Sequence, residues 1–463
     1  MSKEKRFGLI GYPLGHSLSK PIHESLFREN LSNVVLRGAE YGMFEINPDK
    51  LEEHMEFLKT LNGFNCTIPF KQTIMKHLDE IDERAQFYGA VNTVKQVGGK
   101  LFGYNTDWIG FCEALKCLAD PKDGKILLLG AGGVSRMMAF ECGKAGARQI
   151  DILTRTPEKG NELAKEISQS TGTAMRVVSL EDLNVSTERG EYYDLILNGS
   201  PSGMWPKTEG LPLSSEVIRN ARAVYDTVYN PTLTRLLLEA KLGGVPAKGG
   251  ISMLVGQAAA AQKIWLDVDF KDSALELIAE KMKTRLNKNY RMNIVLCGFM
   301  GSGKSFVGEK LARKIGYDFV DLDKFIEVKT HKSIPRIFKE KGEAEFRRLE
   351  VEGLKEIAGL TGVVLALGGG TIILDTAYEI LKKLPVRIVF LEVSEGKMFE
   401  RVQSGEGRPL LDKQDFEENA RQIYKKRLPR YHEVSHLTVD GDVDSAELVN
   451  QLIKILGFKE GKK

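Results

Sequence analysis

One stretch constrains this chain more than any other: Gly298-Phe299-Met300-Gly301-Ser302-Gly303-Lys304-Ser305, which fits Gly-x-x-x-x-Gly-Lys-Ser. An apolar run, Asn293-Ile294-Val295-Leu296-Cys297, precedes it and reads as a buried strand. Val307, Leu311 and Ile315 follow at helical spacing. Strand, glycine turn and helix aim successive backbone N–H groups at a polyphosphate lying on a helix N-terminus. Lys304 brings a charge near the β- and γ-phosphates, and the Ser305 hydroxyl suits Mg2+. Chance gives such a match in roughly a few per cent of chains this long, and less often in this context. Nucleotide phosphate binding is therefore expected. The motif starts only at Gly298, so something else fills the chain before it.

The chain has 463 residues, and a prior of about 150 residues per domain gives roughly three folding units. Apolar residues make up 42% and charged residues 28%, as in ordinary globular proteins. A net charge of +3 gives no reason to expect nucleic acid or an anionic membrane as partner. The five cysteines, Cys66, Cys112, Cys117, Cys142 and Cys297, form no C-x-x-C and no metal cluster with His. Reduced thiols in a cytoplasmic protein are the expectation. The first residues lack an apolar signal region, and no run approaches the ~20 apolar residues of a membrane helix. Small-molecule substrates are expected, with a monomer or a homodimer both open.

From the start, Phe7-Gly8-Leu9-Ile10-Gly11 reads as a buried strand ending in a polar loop, Tyr12 to Pro21. Pro21 suits a first helical position. Ser17 and Ser19 have two readings, satisfying backbone groups near that helix start or holding a hydroxylated or carboxylated ligand. In Gly63-Phe64-Asn65-Cys66-Thr67-Ile68-Pro69-Phe70-Lys71 an apolar segment stops at a proline, which puts Lys71 just past a strand end. Gly89-Ala90-Val91-Asn92-Thr93 and Gly103-Tyr104-Asn105-Thr106-Asp107 repeat the pattern of a short apolar stretch followed by Asn-Thr. These clusters, with Lys71, Asn92 and Asp107, suggest one cleft. A Lys–Asp pair suits acid–base work: the carboxylate fixes the ammonium, which exchanges a proton with a substrate oxygen.

Lys125 to Leu129 then runs into Gly130-Ala131-Gly132-Gly133-Val134-Ser135, with a helix after it. This is the dinucleotide fingerprint with Ser135 in place of the third glycine. The next strand, Gln149 to Leu153, ends in Thr154-Arg155-Thr156 and Lys159, where NAD-preferring proteins carry an acid. Arg155 and Lys159 suit a 2′-phosphate, so NADP(H) is expected. Asp194 to Met204 and Ala223 to Pro231 fit later strands and turns of a doubly wound sheet. Met253 to Trp265 reads as a helix carrying Gln257, either a site residue or a satisfied core amide. Ser273-Ala274-Leu275-Glu276 has capping-box spacing, and the polar run Asn287 to Arg291 reads as a linker.

Beyond the phosphate loop, Tyr317 to Asp323 reads as a strand whose end carries Asp321 and Asp323 on one side, one for Mg2+ and one for a substrate hydroxyl. Val363 to Leu367 reads as a strand running into Gly368-Gly369-Gly370, where a ligand can approach the backbone. The segment Gln403 to Leu410 has the composition of a mobile lid bearing Arg408. Arg347, Arg408 and Arg427 are candidates for a forked grip on carboxylate or phosphate.

These motifs carry two family resemblances. Residues 6–285 resemble shikimate dehydrogenase, through Ser17-Leu18-Ser19-Lys20-Pro21, Asn65 to Lys71, Gly89 to Thr93, Asn105-Thr106-Asp107, Gly130 to Gly133 and Gln257. Residues 292–460 resemble shikimate kinase, through the phosphate loop, Asp321-Leu322-Asp323, Phe346-Arg347-Arg348, Gly368 to Gly370, Arg408-Pro409-Leu410-Leu411 and Arg427 to Tyr431. The resemblance implies an α/β chain: a two-lobed dehydrogenase with a Rossmann NADP domain, then a P-loop kinase domain with a parallel sheet. Its boundaries would be 1–285, with a substrate lobe of 1–110 plus 246–285 and a Rossmann lobe of 111–245, a linker at 286–291, and 292–463.

The resemblance also implies roles. Lys71 would be the acid–base residue paired with Asp107, while Ser17, Ser19, Thr67, Asn92, Asp107, Tyr229 and Gln257 surround the substrate. Gly130 to Ser135, Thr154 to Thr156 and Lys159 would hold NADP(H). In the second part Asp323, Arg347, Gly369 and Arg427 would bind shikimate, with Asp323 catalytic. Gly301, Ser302, Gly303, Lys304, Ser305, Phe306, Arg401 and Arg408 would bind ATP, with Lys304 and Arg408 stabilising the transferred group. Ser305 and Asp321 would serve Mg2+. The expectation is a bifunctional enzyme making shikimate and then phosphorylating it. Two alternatives stay open: a dehydrogenase that also takes quinate, which differs by a hydroxyl, and a sensor that kept the folds and lost turnover.

Overall fold

The computed structural model describes residues 5–15, 17–29, 38–357, 360–403 and 416–458. It divides into two compact units. The first takes Met1–Pro201, Pro212–Thr232 and Glu239–Leu286, and the second Ser202–Leu211, Leu233–Leu238 and Asn287–Lys463.

The first unit holds two sheets. One contains β1 (Arg6–Gly11), β2 (Glu40–Glu45), β3 (Gly63–Cys66), β4 (Glu80–Ile81), β5 (Thr93–Val97) and β6 (Lys100–Tyr104), in the order β2–β1–β3–β5–β6–β4. β1 runs parallel to β2 and β3, whereas β5 is antiparallel to β3 and β6. The β5–β6 hairpin closes over Gly98 and Gly99, both at positive φ (+60° and +84°). A two-residue hairpin loop of this hand needs that conformation at both positions, and glycine adopts it without strain. Ile10, Phe64, Val94 and Leu101 fill the core beside the sheet.

The other sheet contains β7 (Lys125–Leu129), β8 (Gln149–Leu153), β9 (Ala174–Val177), β10 (Leu195–Asn198), β11 (Val224–Asp226) and β12 (Ala247–Gly249). All pair in parallel, in the order β9–β8–β7–β10–β11–β12. That is the doubly wound dinucleotide-binding order. Its topological switch lies between β7 and β10, where such sheets take ligands at the strand carboxyl ends. Buried apolar runs such as Ile126 to Leu129 suit strands covered on both faces.

The second unit is built on β13 (Asn293–Cys297), β14 (Asp318–Asp321), β15 (Val363–Ala366), β16 (Val386–Glu392) and β17 (Leu437–Asp440). They pair in parallel in the order β14–β15–β13–β16–β17. β13 is central and wholly buried, and it delivers the phosphate loop to the helix Lys304–Ile315. That helix ends at Gly316, whose φ of +72° gives the left-handed cap a glycine takes without strain. Inside this unit the buried Arg387 donates to the Leu233 carbonyl at 2.7 Å, and Glu209 lies 2.7 Å from the His436 Nε2.

Four local expectations change. Asp323 is not at a strand end: β14 stops at Asp321, which caps the helix Leu322–Thr330, so Asp323 sits in that helix's first turn. Ser273 caps nothing, because its helix starts one residue earlier, at Asp272. Helix Asp272–Asn289 also runs through most of 286–291, which contains no Pro or Gly to stop it. Pro21 is the third residue of the helix Ser19–Glu29, rather than the first.

Candidate active sites

In the first unit, the strand β3 ends just before a turn at Thr67–Pro69. The short helix Phe70–Thr73 then presents Lys71. Lys71 Nζ donates to Asp107 Oδ2 at 2.7 Å. Asp107 opens the helix Asp107–Lys116, and the Asn105 side chain accepts its backbone N–H at 3.0 Å. The second carboxylate oxygen accepts from Asn92 Nδ2 at 2.9 Å, and the same amide nitrogen reaches Gln257 Oε1 at 3.3 Å. Asn92 is itself fixed, since its Oδ1 accepts from the Thr106 backbone at 2.8 Å and from the Thr93 hydroxyl at 3.0 Å. Lys71, Asp107, Asn92 and Gln257 thus form one continuous set. Lys71 is the most exposed of the ion pair, with 30% of its side chain open against 13% for Asp107. An ammonium open on one side and held on the other can pass a proton to a ligand oxygen.

Ser17 and Ser19 lie in and after the loop that follows β1. Their hydroxyls are 3.2 Å apart, and Ser17 Oγ also accepts the Ser19 backbone N–H at 3.2 Å. That is a local capping geometry, and it leaves both readings of the pair standing. Thr67 and Tyr229 are half-buried.

At the switch point, β7 leads into Gly130 at φ +98°. Side chains at Gly132 and Gly133 would meet nothing within 4 Å, so the backbone opening the helix Gly133–Lys144 faces free space. That cradle fits a pyrophosphate on a helix N-terminus. Ser135 is buried and packs against Gly130 and Gly199, where a Cβ would collide with its hydroxyl. Thr154 is half-buried, and Arg155, Thr156 and Lys159 are exposed just past β8, with Glu158 beside Lys159 in the first turn of the helix Pro157–Thr171. Two exposed cations there suit a ribose phosphate.

In the second unit, Gly298, Gly301 and Gly303 all take positive φ (+147°, +78° and +86°). Lys304 is buried and donates to the carbonyls of Gly298 and Phe299 at 2.9 and 2.8 Å, folding the loop around its own ammonium. Ser305 Oγ hydrogen-bonds Asp321 Oδ2, while Asp321 Oδ1 accepts from the backbone of Asp323 and Lys324. A hydroxyl beside a carboxylate is the hard, oxygen-only donor set that Mg2+ prefers. Arg401 reaches the Gly441 carbonyl and lies near Gly303. Phe306 is exposed, with Lys310 Nζ 4.0 Å from its ring centroid.

Around the glycine triplet after β15, six side chains converge. A Cβ on Gly368 would sit 2.7 Å from Glu350 Oε1 and 2.8 Å from Asp323 Oδ1. Glu350 is fully buried and accepts from Arg347 Nη1 at 2.7 Å and from the Thr371 hydroxyl. Gly370 abuts the Arg347 guanidinium, where a Cβ would lie 2.5 Å from Nη1. Arg427 donates to the Gly369 carbonyl at 3.1 Å, and Tyr431 donates to the same oxygen. Burial, then the charges of Glu350 and Asp321, push the Asp323 carboxyl up to about 6. Its Oδ1 is buried and has no hydrogen-bond partner among the described residues. A carboxylate on the same glycine triplet as two guanidinium groups suits a small anion bearing a hydroxyl.

Comparison with known proteins decides the families. Residues 9–94 match the shikimate dehydrogenase substrate-binding domain, and 113–197 match shikimate / quinate 5-dehydrogenase. Residues 300–457 match shikimate kinase. A shikimate dehydrogenase (NADP(+)) of Bacillus cereus is 42% identical over 264 residues, 56% of this chain and 91% of the relative. One from Caldanaerobacter subterraneus is 39% identical over 285 residues, 61% and 99% of the two chains.

The chain belongs to the shikimate dehydrogenase family and continues into a shikimate kinase region.

Solved structures agree for the dehydrogenase part. A chorismate mutase/shikimate 5-dehydrogenase fusion protein from Clostridium acetobutylicum is 35% identical, covering 61% of this chain and 98% of that one, with a TM-score of 0.54. A shikimate 5-dehydrogenase from Thermus thermophilus, in complex with NADP(H) and shikimate, is 34% identical with a TM-score of 0.52, covering 60% and 99%. The α/β architecture expected from the sequence is the one observed, and the chain is an enzyme with both a dehydrogenase and a kinase part.

Within the dehydrogenase, the structure joins Lys71, Asp107, Asn92 and Gln257 directly, and it tethers none of Ser17, Ser19 and Thr67 to them by a hydrogen bond among the described residues. In the kinase, Asp323, Arg347, Gly369 and Arg427 gather around the glycine triplet. Arg408 lies outside the described residues. Sequence reasoning passed over Asn105, Glu350 and Thr371. Asn105 had a signal, since it opens the Asn-Thr-Asp run. Glu350 had none, being one acid among several on the helix Ile334–Ile357.

Proposed function

We propose that the dehydrogenase reduces 3-dehydroshikimate to shikimate with NADPH, and that the kinase phosphorylates the 3-hydroxyl of shikimate with ATP. In the first reaction NADPH supplies the hydride, and Lys71 gives a proton to the carbonyl oxygen as it becomes a hydroxyl. Asp107 holds the ammonium and aims it. Asn92, Gln257, Ser17, Ser19, Thr67 and Tyr229 hold the remaining oxygens. Gly130 to Ser135 receive the dinucleotide pyrophosphate, and Thr154, Arg155, Thr156 and Lys159 its 2′-phosphate.

In the second reaction ATP supplies the phosphoryl group. Asp323 takes the proton of the attacking hydroxyl, while Arg347, Arg427 and Gly369 hold the carboxylate side of shikimate. Gly301 to Ser305, Phe306, Arg401 and Arg408 hold the nucleotide, and Ser305 and Asp321 hold Mg2+. Lys304 leaves the loop carbonyls it now contacts to meet phosphate oxygens. Small-molecule substrates without nucleic acid or membrane, a monomer or homodimer and a cytoplasmic location belong to the same proposal, the last supported by five free cysteines.

One observation carries the proposal: each unit sets a glycine-turn nucleotide cradle and its own proton-handling group, Lys71 with Asp107 in one and Asp323 in the other. Single substitutions test it. Lys71→Ala should lower NADPH oxidation on dehydroshikimate by roughly 10²- to 10⁴-fold and leave phosphorylation of added shikimate unchanged. Asp323→Asn should do the reverse. Loss of both activities in either variant would refute it.

A further inference from the structure

Away from the reacting groups, the dehydrogenase unit buries a carboxylate on which three helices meet. Glu141 is 7% exposed, on the helix Gly133–Lys144 that opens at the dinucleotide turn. Arg84 pairs with it from the helix Glu83–Tyr88, and the Tyr88 hydroxyl donates to the same oxygen. Cys112, on the helix Asp107–Lys116, lies with its Sγ 3.9 Å from the other carboxylate oxygen. Burial and the Glu141 charge push the Cys112 thiol up to about 12, so it stays a donor. The Arg84 guanidinium also lies 3.8 Å from the ring centroid of Trp108, the residue next to Asp107.

Each of the three helices leads to a different part of the reaction. Glu83–Tyr88 ends at Gly89 in the left-handed conformation (φ +63°), and the chain from there reaches Asn92. Its N-cap, Asp82, accepts from the Asn105 backbone at 3.3 Å, and Asn105 in turn accepts from Asp107 N. Asp107–Lys116 begins at the partner of Lys71. Gly133–Lys144 begins where the cofactor would lie. Aromatic packing follows the same seam: Phe87 lies 4.1 Å from Phe140, and Tyr88 meets Phe140 edge-on.

The geometry points to Glu141 and Arg84 as positioning residues for hydride transfer, an ion pair of a buried carboxylate with a half-buried guanidinium that sets the distance between the Lys71–Asp107–Asn92 group and the cofactor turn. Neither touches the reacting atoms. A charge taken out of water and met by one guanidinium, one phenol and one thiol has few alternative arrangements, since any shift of a helix strips a partner from it. Reacting atoms misplaced by about 1 Å lose rate by as much as roughly 10²-fold, while binding contacts made elsewhere persist.

The inference rests on the dehydrogenase reading, and the test separates the two. Glu141→Gln keeps shape and removes the charge, and Arg84→Gln removes its partner. Each is made in the full-length chain and assayed with dehydroshikimate and NADPH, then with NADPH deuterated at the transferred position. The expected result is a kcat lower by roughly 10- to 100-fold. The KM for dehydroshikimate should stay within about twofold, and the primary isotope effect on kcat should be larger than in the unsubstituted enzyme. Arg84→Lys should recover part of the rate. The double variant should be less impaired than the product of the two single effects, because the groups act as one. A lowered melting temperature with kcat and isotope effect unchanged would overturn the inference, leaving the cluster a purely structural one. A raised KM with an unchanged isotope effect would overturn it as well. An unsubstituted chain that fails to oxidise NADPH with dehydroshikimate would instead refute the dehydrogenase reading itself.

Discussion

In the reactions proposed above, Asp323 and Lys71 would handle protons from opposite starting points. Lys71 is held by a carboxylate at 2.7 Å and stays half-open, whereas Asp323 is half-buried, with its Oδ1 fully buried, near two other carboxylates. Loss of water around its charge, together with Glu350 and Asp321, raises Asp323 to about 6. Its base form therefore fills only as pH rises through about 6. The kcat/KM for shikimate phosphorylation should climb with unit slope below that value and level off above it. A limb near pH 4 in the rate profile would contradict the assignment, because an unshifted carboxylate would titrate there. The residues proposed for this chemistry were legible where a motif set them beside glycine, proline or asparagine. Glu350 was not legible, because its role comes from a fold that buries it, and an acid on a charged helix carries no sign of that.

At the scale of elements, the dehydrogenase helices Asp107–Lys116 and Ile251–Leu266 cross at Gly110 and Gly256. A Cβ on Gly110 would collide with the Met253 carbonyl and lie 2.7 Å from the Gln257 backbone nitrogen. Backbone cannot rotate aside as a side chain can, so Gly110→Ala must push the helices apart. Overpacking of this kind costs about 1–3 kcal/mol. Here it also draws Gln257 from Asn92, now 3.3 Å away. The expected result is a higher KM for dehydroshikimate and a lower melting temperature of the dehydrogenase, with shikimate phosphorylation unchanged. An unchanged KM would show that the helix crossing does not place Gln257. Strands such as Asn293–Cys297 and Lys125–Leu129 were readable because apolar runs bounded by glycine have few other uses. The crossing was not readable, since Gly110 and Gly256 are far apart in sequence and neither lies in a turn. Helix ends were misplaced at Asp272 and Asn289 because those runs offer no strong stop.

At the scale of the molecule, two sets of proposed catalytic residues share one chain, and the second unit takes in Ser202–Leu211, Leu233–Leu238 and Asn287–Lys463. Within that unit His436 is kept from protonating, chiefly by burial, and the Ile388 backbone N–H donates to its Nδ1. Its Nε2–H is therefore the group that donates to Glu209. Arg387 is buried 3.9 Å from the same carboxylate. Glu209→Ala should destabilise the second unit by about 2 kcal/mol, the order expected when a charged hydrogen-bond acceptor is removed from buried donors. Urea unfolding would measure it, and an unshifted midpoint would show these contacts to be dispensable. No sequence motif marks Glu209, because its partners, Arg387 and His436, come from far along the chain.

The claim that one chain carries out both steps is tested most directly by a single reaction. Purified protein is mixed with dehydroshikimate, NADPH, ATP and Mg2+, and products are followed with time. The account predicts shikimate 3-phosphate formed with one NADPH and one ATP consumed per molecule. The Lys71→Ala variant should form none until shikimate is added. Shikimate that accumulates without being phosphorylated, or phosphorylation that stays absent in the variant after shikimate is supplied, would contradict it.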